Sequence, residues 1–158
     1  MVLDCGATKT FASVTALEDC LEAQREAGLL GAVEVDTTNR PRFGFANGDS
    51  ERTASRSTIP MHAGGKKGSL AVFALNTKAD RYVPILGAME FLQKSQATIN
   101  FGNGWAQFKA ISPQWIQLER ISSGHLVVDL TKDMYLDIAK SEAARRLLKS
   151  TVPPPAAE

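Results

Sequence analysis

Cysteine is scarce: Cys5 and Cys20 are the only two among 158 residues, too few for a disulfide framework. With His62 and His125, the only histidines, they do not make the paired short spacings of a structural zinc site. So few thiols fit a reducing, intracellular compartment, the cytoplasm. Charge of one sign is lacking as well. Eighteen basic residues stand against seventeen acidic ones, a formal charge of +1, so no field concentrates a polyanion. No basic run is interleaved with aromatics either, and no nucleic-acid partner is expected for this segment. Long apolar runs are missing: none approaches the ~20 residues needed to span a bilayer. The N-terminus has neither the basic nor the apolar part of a signal peptide. A soluble protein with no membrane partner is the expectation, and no internal repeat is found.

What remains suffices for one core. At 44% hydrophobic residues, the chain reads as a single domain with a tail. Val2 to Thr8 reads as a strand ending in a turn. Next, Val14, Leu17 and Leu21 recur at helical spacing, Thr15 and Glu18 match a capping box, and Gly28 is placed to stop the helix. From Val33 onward the period turns to β, punctuated by Asn47-Gly48 and by Gly64-Gly65-Lys66-Lys67-Gly68; two successive hairpins are predicted. Val83 to Leu86 is a buried run, Met89 to Lys94 a short helical piece, and strands flank Gly102-Asn103-Gly104. A further strand pair is expected at Trp115 to Leu118 and His125 to Leu130, turned at Ser122-Ser123-Gly124. The end, "SEAARRLLKSTVPPPAAE", reads as a short polar helix, with Arg145 and Arg146 on its solvated face, and a Pro and Ala linker.

Near the start, "VLDCGATKT" runs an apolar strand straight into an aspartate on a turn made tight by Gly6. A carboxylate there is costly unless the fold has a use for it. Asp4-Cys5-Gly6-Ala7-Thr8 is followed by a helix, a Gly-bearing hairpin "FGFANGDS", a second hairpin "STIPMHAGGKKGSLAVFAL", an apolar loop "VPILGAMEFL" and a closing strand "ATINF". This ordered set resembles the retropepsin-like aspartic proteases, specifically those embedded in retrotransposon polyproteins. The likeness covers Val2 to Phe108, and "IQLERISSGHLVVDLTKDMY" is similar to the segment that follows the protease in some of those polyproteins.

The resemblance implies a mostly β domain, a small closed barrel of the acid-protease type with one or two short helices. It implies a protease domain over residues 1–110, a C-terminal extension with short strands over 111–140, and a helix with a linker tail over 141–158. In this family each chain of a homodimer contributes one aspartate, here Asp4, to a pair at the two-fold axis. Two carboxylates about 3 Å apart share one proton, so one acts as base on a water and the other as acid toward the scissile carbonyl and the leaving amine. No metal or organic cofactor is implied. Cys5, Gly6, Ala7 and Thr8 would support the catalytic loop. Phe43, Gly44, Phe45, Ala46, Asn47 and Gly48 would form a flap over an extended polypeptide substrate, with Asn47 and Gly48 near its tip. Val83, Pro84, Ile85 and Leu86 would line the floor.

Three features depart from the family pattern. Cys5 stands where the family has threonine or serine, and a thiol is a weak donor for the hydrogen bond that locks the two loops together. An ungapped match to "ILLG" puts its glycine at Ala88, one position after Gly87. Only Met1 to Leu3 precede Asp4, whereas the family has a strand or hairpin of about twenty residues there, which reads as a fragment or an incomplete copy. Hence a second reading stands: a catalytically inactive domain that keeps dimerisation or peptide binding. A third is an unrelated β-rich interaction module; for Asp4 itself the plain alternative is a helix or turn cap accepting from the amides of Gly6 or Ala7. Cys5 is also weighed as a nucleophile with His62 or His125 as base, and set against a small buried residue. Trp105, Phe108 and Trp115 read as core or dimer contact.

Overall fold

A computed structural model describes residues 1–28, 31–63, 66–76 and 81–131; the expected helix and linker, with Arg145 and Arg146, lie outside them. The first strand is short, β1 (Val2–Leu3), and the next, β2 (Phe11–Ser13), leads straight into helix α1 (Val14–Glu26). The expected apolar spacing buries Leu17, along with Ala16 and Gln24, and Gly28 follows the helix at φ +71°, a left-handed conformation that glycine adopts without penalty. The capping box does not form. Ser13, two residues earlier than the expected Thr15, caps the helix by accepting from the Ala16 amide (3.2 Å). Its hydroxyl also donates to the Val83 carbonyl and accepts from the Val83 amide, both at 3.2 Å. That double use explains the choice, because Val83 has no strand partner there. Ser13→Ala should therefore cost about 2 kcal/mol, a lost cap plus a half-buried amide deprived of its partner. A lowered urea midpoint at unchanged slope would register it.

Both predicted hairpins form. Strand β3 (Glu34–Asp36) pairs antiparallel with the long β5 (Ser50–Ala63), as does β4 (Arg42–Gly44). β5 then turns into β6 (Lys66–Leu75), so Lys66, Lys67 and Gly68 belong to the strand rather than to the turn. A register shift between Thr53 and Ser55 bends β5 where its partner changes from β6 to β4. Buried Thr53 holds the bend, its amide donating to the Pro41 carbonyl (3.0 Å) and its carbonyl accepting from Arg40 Nε (2.8 Å). Pro60 sits past the last β3 pairing, Glu34 with Thr58, where a missing amide leaves no partner unmet.

After β7 (Leu86–Gly87) comes helix α2 (Met89–Lys94), within the bounds its sequence predicts. The predicted strands around Gly102-Asn103-Gly104 are β8 (Ala97–Asn100) and β9 (Trp105–Phe108). The last expected pair forms differently. β10 (Trp115–Gln117) joins β9 in a second, three-stranded sheet, whereas β11 (Glu119–Arg120) pairs with β12 (Leu126–Val127). Phe108 is buried, and Trp105 and Trp115 are half-buried.

The main sheet runs β11-β12-β1-β7-β2-β6-β5-β3, with β4 on β5. Among the described residues the protein is thus mostly β with two helices. The expected closed barrel is not found: among the described residues the pairings follow an open path with β11 and β3 at its ends. One core joins Leu3, Ala12, Leu17, Ile59, Val72 and Leu126 with their neighbours. No helix among the described residues is long and apolar enough to cross a membrane.

Candidate functional site

Strand β7 lies between β1 and β2, parallel to the first and antiparallel to the second. The chain therefore leaves β1, crosses over the end of β7 and returns along β2, and residues 4–10 form that crossing. Asp4 sits at its start, half-buried. Its amide donates to the Gly87 carbonyl (3.0 Å), and the Met89 amide donates to the Ala7 carbonyl (2.9 Å). The loop is thereby stitched on both sides to the junction of β7 and α2. Buried Thr10 closes it, with Oγ1 accepting from the Ala88 amide (3.3 Å).

Within the crossing, Asp4 Oδ1 accepts from the Gly6 amide at 2.8 Å, and Ala7 N donates to the Asp4 carbonyl at 3.4 Å. A Cβ on Gly6 would stand 3.2 Å from that same carboxylate oxygen, so a larger residue would push the side chain from its place. Asp4 does act as a local turn acceptor, through Oδ1. Thr8 is exposed at the far side of the turn. Cys5 is exposed too, which corrects the small buried residue expected at that position: the side chain follows the turn outward, while Leu3 before it points into the core. Cys20 is the half-buried thiol, pushed up from its ordinary value first by burial. His125 lies in the turn between β11 and β12, its Nδ1 2.9 Å from Ser123 Oγ.

The predicted floor is partly displaced. Ile85, whose carbonyl accepts from the Val2 amide (2.8 Å), and Leu86, which pairs with Val2, run beside the strand that carries Asp4. Pro84 is exposed, and Val83 is bonded to Ser13 at the opposite end of β2. Direct contact with the aspartate loop falls one step later, at Gly87, Ala88 and Met89. Both small residues are needed there. A Cβ on Gly87 would come 2.9 Å from Met1 Sδ, and Ala88 is fully buried under Thr10.

The 43–50 hairpin forms as expected. Gly44 pairs with Ser50, and residues 45–49 make the tip: Phe45 N donates to the Asp49 carbonyl, Gly48 N to the Phe45 carbonyl, and Asn47 Nδ2 to Asp49 Oδ2. Ala46, Asn47 and Gly48 are exposed, with Gly48 at φ +86°. Phe43 and Phe45 turn back toward β2. Their rings meet Phe11 at centroid distances of 5.2 and 6.4 Å, and Phe11 lies opposite Leu86 in the sheet. Phe11, Thr10, Gly87 and Ala88 were outside the candidate residues drawn from the sequence. Recurring phenylalanines at 11, 43 and 45 were the available signal for the first of them.

An exposed ionic bridge flanks the loop. Glu90 on α2 takes Lys94 Nζ at 2.8 Å and Lys9 Nζ at 3.1 Å. The hydrogen bond from Lys94, then that from Lys9, holds its carboxyl below the usual range. A lowered native pKa contributes stability above the unfolded value of about 4.3 and loses it as pH falls through the native one. Because the Glu90 side chain is 38% exposed, the effect should stay under about 1 kcal/mol. Glu90→Gln should thus lower stability at neutral pH by that amount, with the gap shrinking in urea titrations run below about pH 4.3.

No protein-family model matches the chain, and no curated protein matches it at a significant level.

Proposed function

We propose that the chain is one half of an aspartic endopeptidase of the retropepsin type, which processes a retrotransposon polyprotein. The observation that carries the reading is the stitching of the Asp4 loop to Gly87 and Met89, with a half-buried carboxylate at the crossing of β1 and β2. In this reading a second copy brings its own Asp4 to a two-fold axis. The paired carboxylates share a proton, one takes a proton from water as that water attacks the peptide carbonyl, and the other protonates the departing amine. The 43–50 hairpin closes over an extended polypeptide, and the work needs no cofactor. Two unpaired thiols agree with an intracellular, cytoplasmic site of action.

Cleavage of a pooled peptide library at mildly acidic pH, with and without a statine-type transition-state mimic, tests the proposal. Cleavage that the mimic suppresses supports it; a folded dimer that cuts nothing defeats it. That second outcome would favour a silent domain that dimerises or binds peptide without turnover. Exposed Cys5 is the feature that favours this alternative, because a thiol is a poor substitute for a locking hydroxyl.

A further inference from the structure

The tip of the 43–50 hairpin is held to the rest of the fold in an unequal way. Its base is firmly anchored: Phe43 pairs with Glu51 in the strand, and its ring lies 5.2 Å from Phe11 and 5.7 Å from the buried Phe73. The hydrogen bonds described at the tip run within residues 45–49. What reaches outward is the Phe45 ring. It stands edge-on to Phe11 at 6.4 Å and 67°, and the Arg81 guanidinium carbon lies 5.6 Å from its centre. The ring is thus gripped on two sides, by an aromatic edge contact and by a cation over a π face.

We infer that Phe45, between Phe11 and Arg81, is a latch that holds the tip down in the unliganded chain and must be released before an extended peptide can be taken beneath the 43–50 hairpin. The inference rests on the proposed function for its ligand, but the latch itself is a property of the free chain. In the proposed function the hairpin closes over the peptide, so a peptide taken beneath the tip displaces the Phe45 ring from Phe11, while Phe43 stays against it. Releasing a cation contact at an exposed site changes the open fraction by about two- to five-fold. A peptide that binds only the open form gains affinity by the same factor.

The test uses the full chain with Arg81→Gln and Arg81→Lys. Chymotryptic cutting after Phe45 should be about two- to five-fold faster in the glutamine variant and near the parent rate in the lysine variant, which keeps a cation. Affinity for a statine-type peptide, followed by fluorescence titration, should rise by the same factor in Arg81→Gln. Unchanged cutting in that variant overturns the latch. Faster cutting with weaker peptide binding overturns the claim that the latch opposes the peptide, since Arg81 would then be a peptide contact. If cutting accelerates as expected and no peptide binds either form, the latch stands and the protease reading falls.

Discussion

Asp4→Asn should reduce cleavage by about 10²–10⁴-fold while leaving the fold in place. The substitution keeps the shape of the side chain, and its Oδ1 can still accept from the Gly6 amide, the one hydrogen bond the carboxylate makes within the turn. Two further bonds hold the loop, from Asp4 N to the Gly87 carbonyl and from Met89 N to the Ala7 carbonyl, and neither involves the side chain. Stability should therefore change by no more than about 0.5 kcal/mol. In the proposed mechanism, what the variant lacks is the ability to share a proton with its counterpart and to pass it between water and leaving group. Turnover measured on the same peptide pool, beside a urea melt, separates the two consequences. Parent-like cleavage would remove Asp4 from any catalytic role. A collapsed melt would show instead that the charge itself stabilises the turn.

Local signals were the readable part of this chain. Met89 to Lys94 announces its helix by period, Gly28 stops α1 as a left-handed residue, and Asn47-Gly48 marks a hairpin whose tip it occupies. Each depends on neighbours within a few positions. Ser13 was overlooked as a cap because its rival, Thr15, had the better local pattern, while the reason to prefer Ser13 lies 70 positions away at Val83. The insertion of β7 between β1 and β2 leaves no periodic trace, since strands of two residues are too short to alternate. Trp115 to Gln117 joins β9 instead of the expected strand at His125 to Leu130, and nothing in its own sequence separates the two partners. The closed barrel was an expectation of kinship rather than of pattern, and the strand order does not bear it out. At the site, Asp4 and Gly6 were visible as a costly carboxylate on a tight turn. Gly87 and Ala88 stood out in the sequence as a shifted match to the family's glycine, but the purpose of their smallness is set by Met1 and Thr10 across the sheet.

A chain ended after residue 110 should not fold, although the family-like portion stops at Phe108. β12 is the outer neighbour of β1: Val2 pairs with Val127, and the Val128 amide donates to the Met1 carbonyl at 2.8 Å. Removing it strips one side from the strand that delivers Asp4. Leu118, Leu126, Val128 and Leu130 would leave the core with it. At about 1.5–3 kcal/mol for each large buried side chain, the loss is comparable with the whole stability of about 5–15 kcal/mol typical of a domain. Leu126→Ala is the graded version. This side chain is 1% exposed and reaches toward the Gly104 turn, where an added Cβ would meet its Cδ2 at 3.6 Å. It thus packs β12 against the second sheet, and its truncation should cost about 2–5 kcal/mol. A urea midpoint lowered at unchanged slope would report that cost, and cleavage should persist in the absence of urea because Asp4 and its loop bonds are untouched. A chain ended after residue 110 that melts cooperatively at the parent midpoint would mean that β7 alone fixes β1, and would set the end of the folded unit back at residue 110.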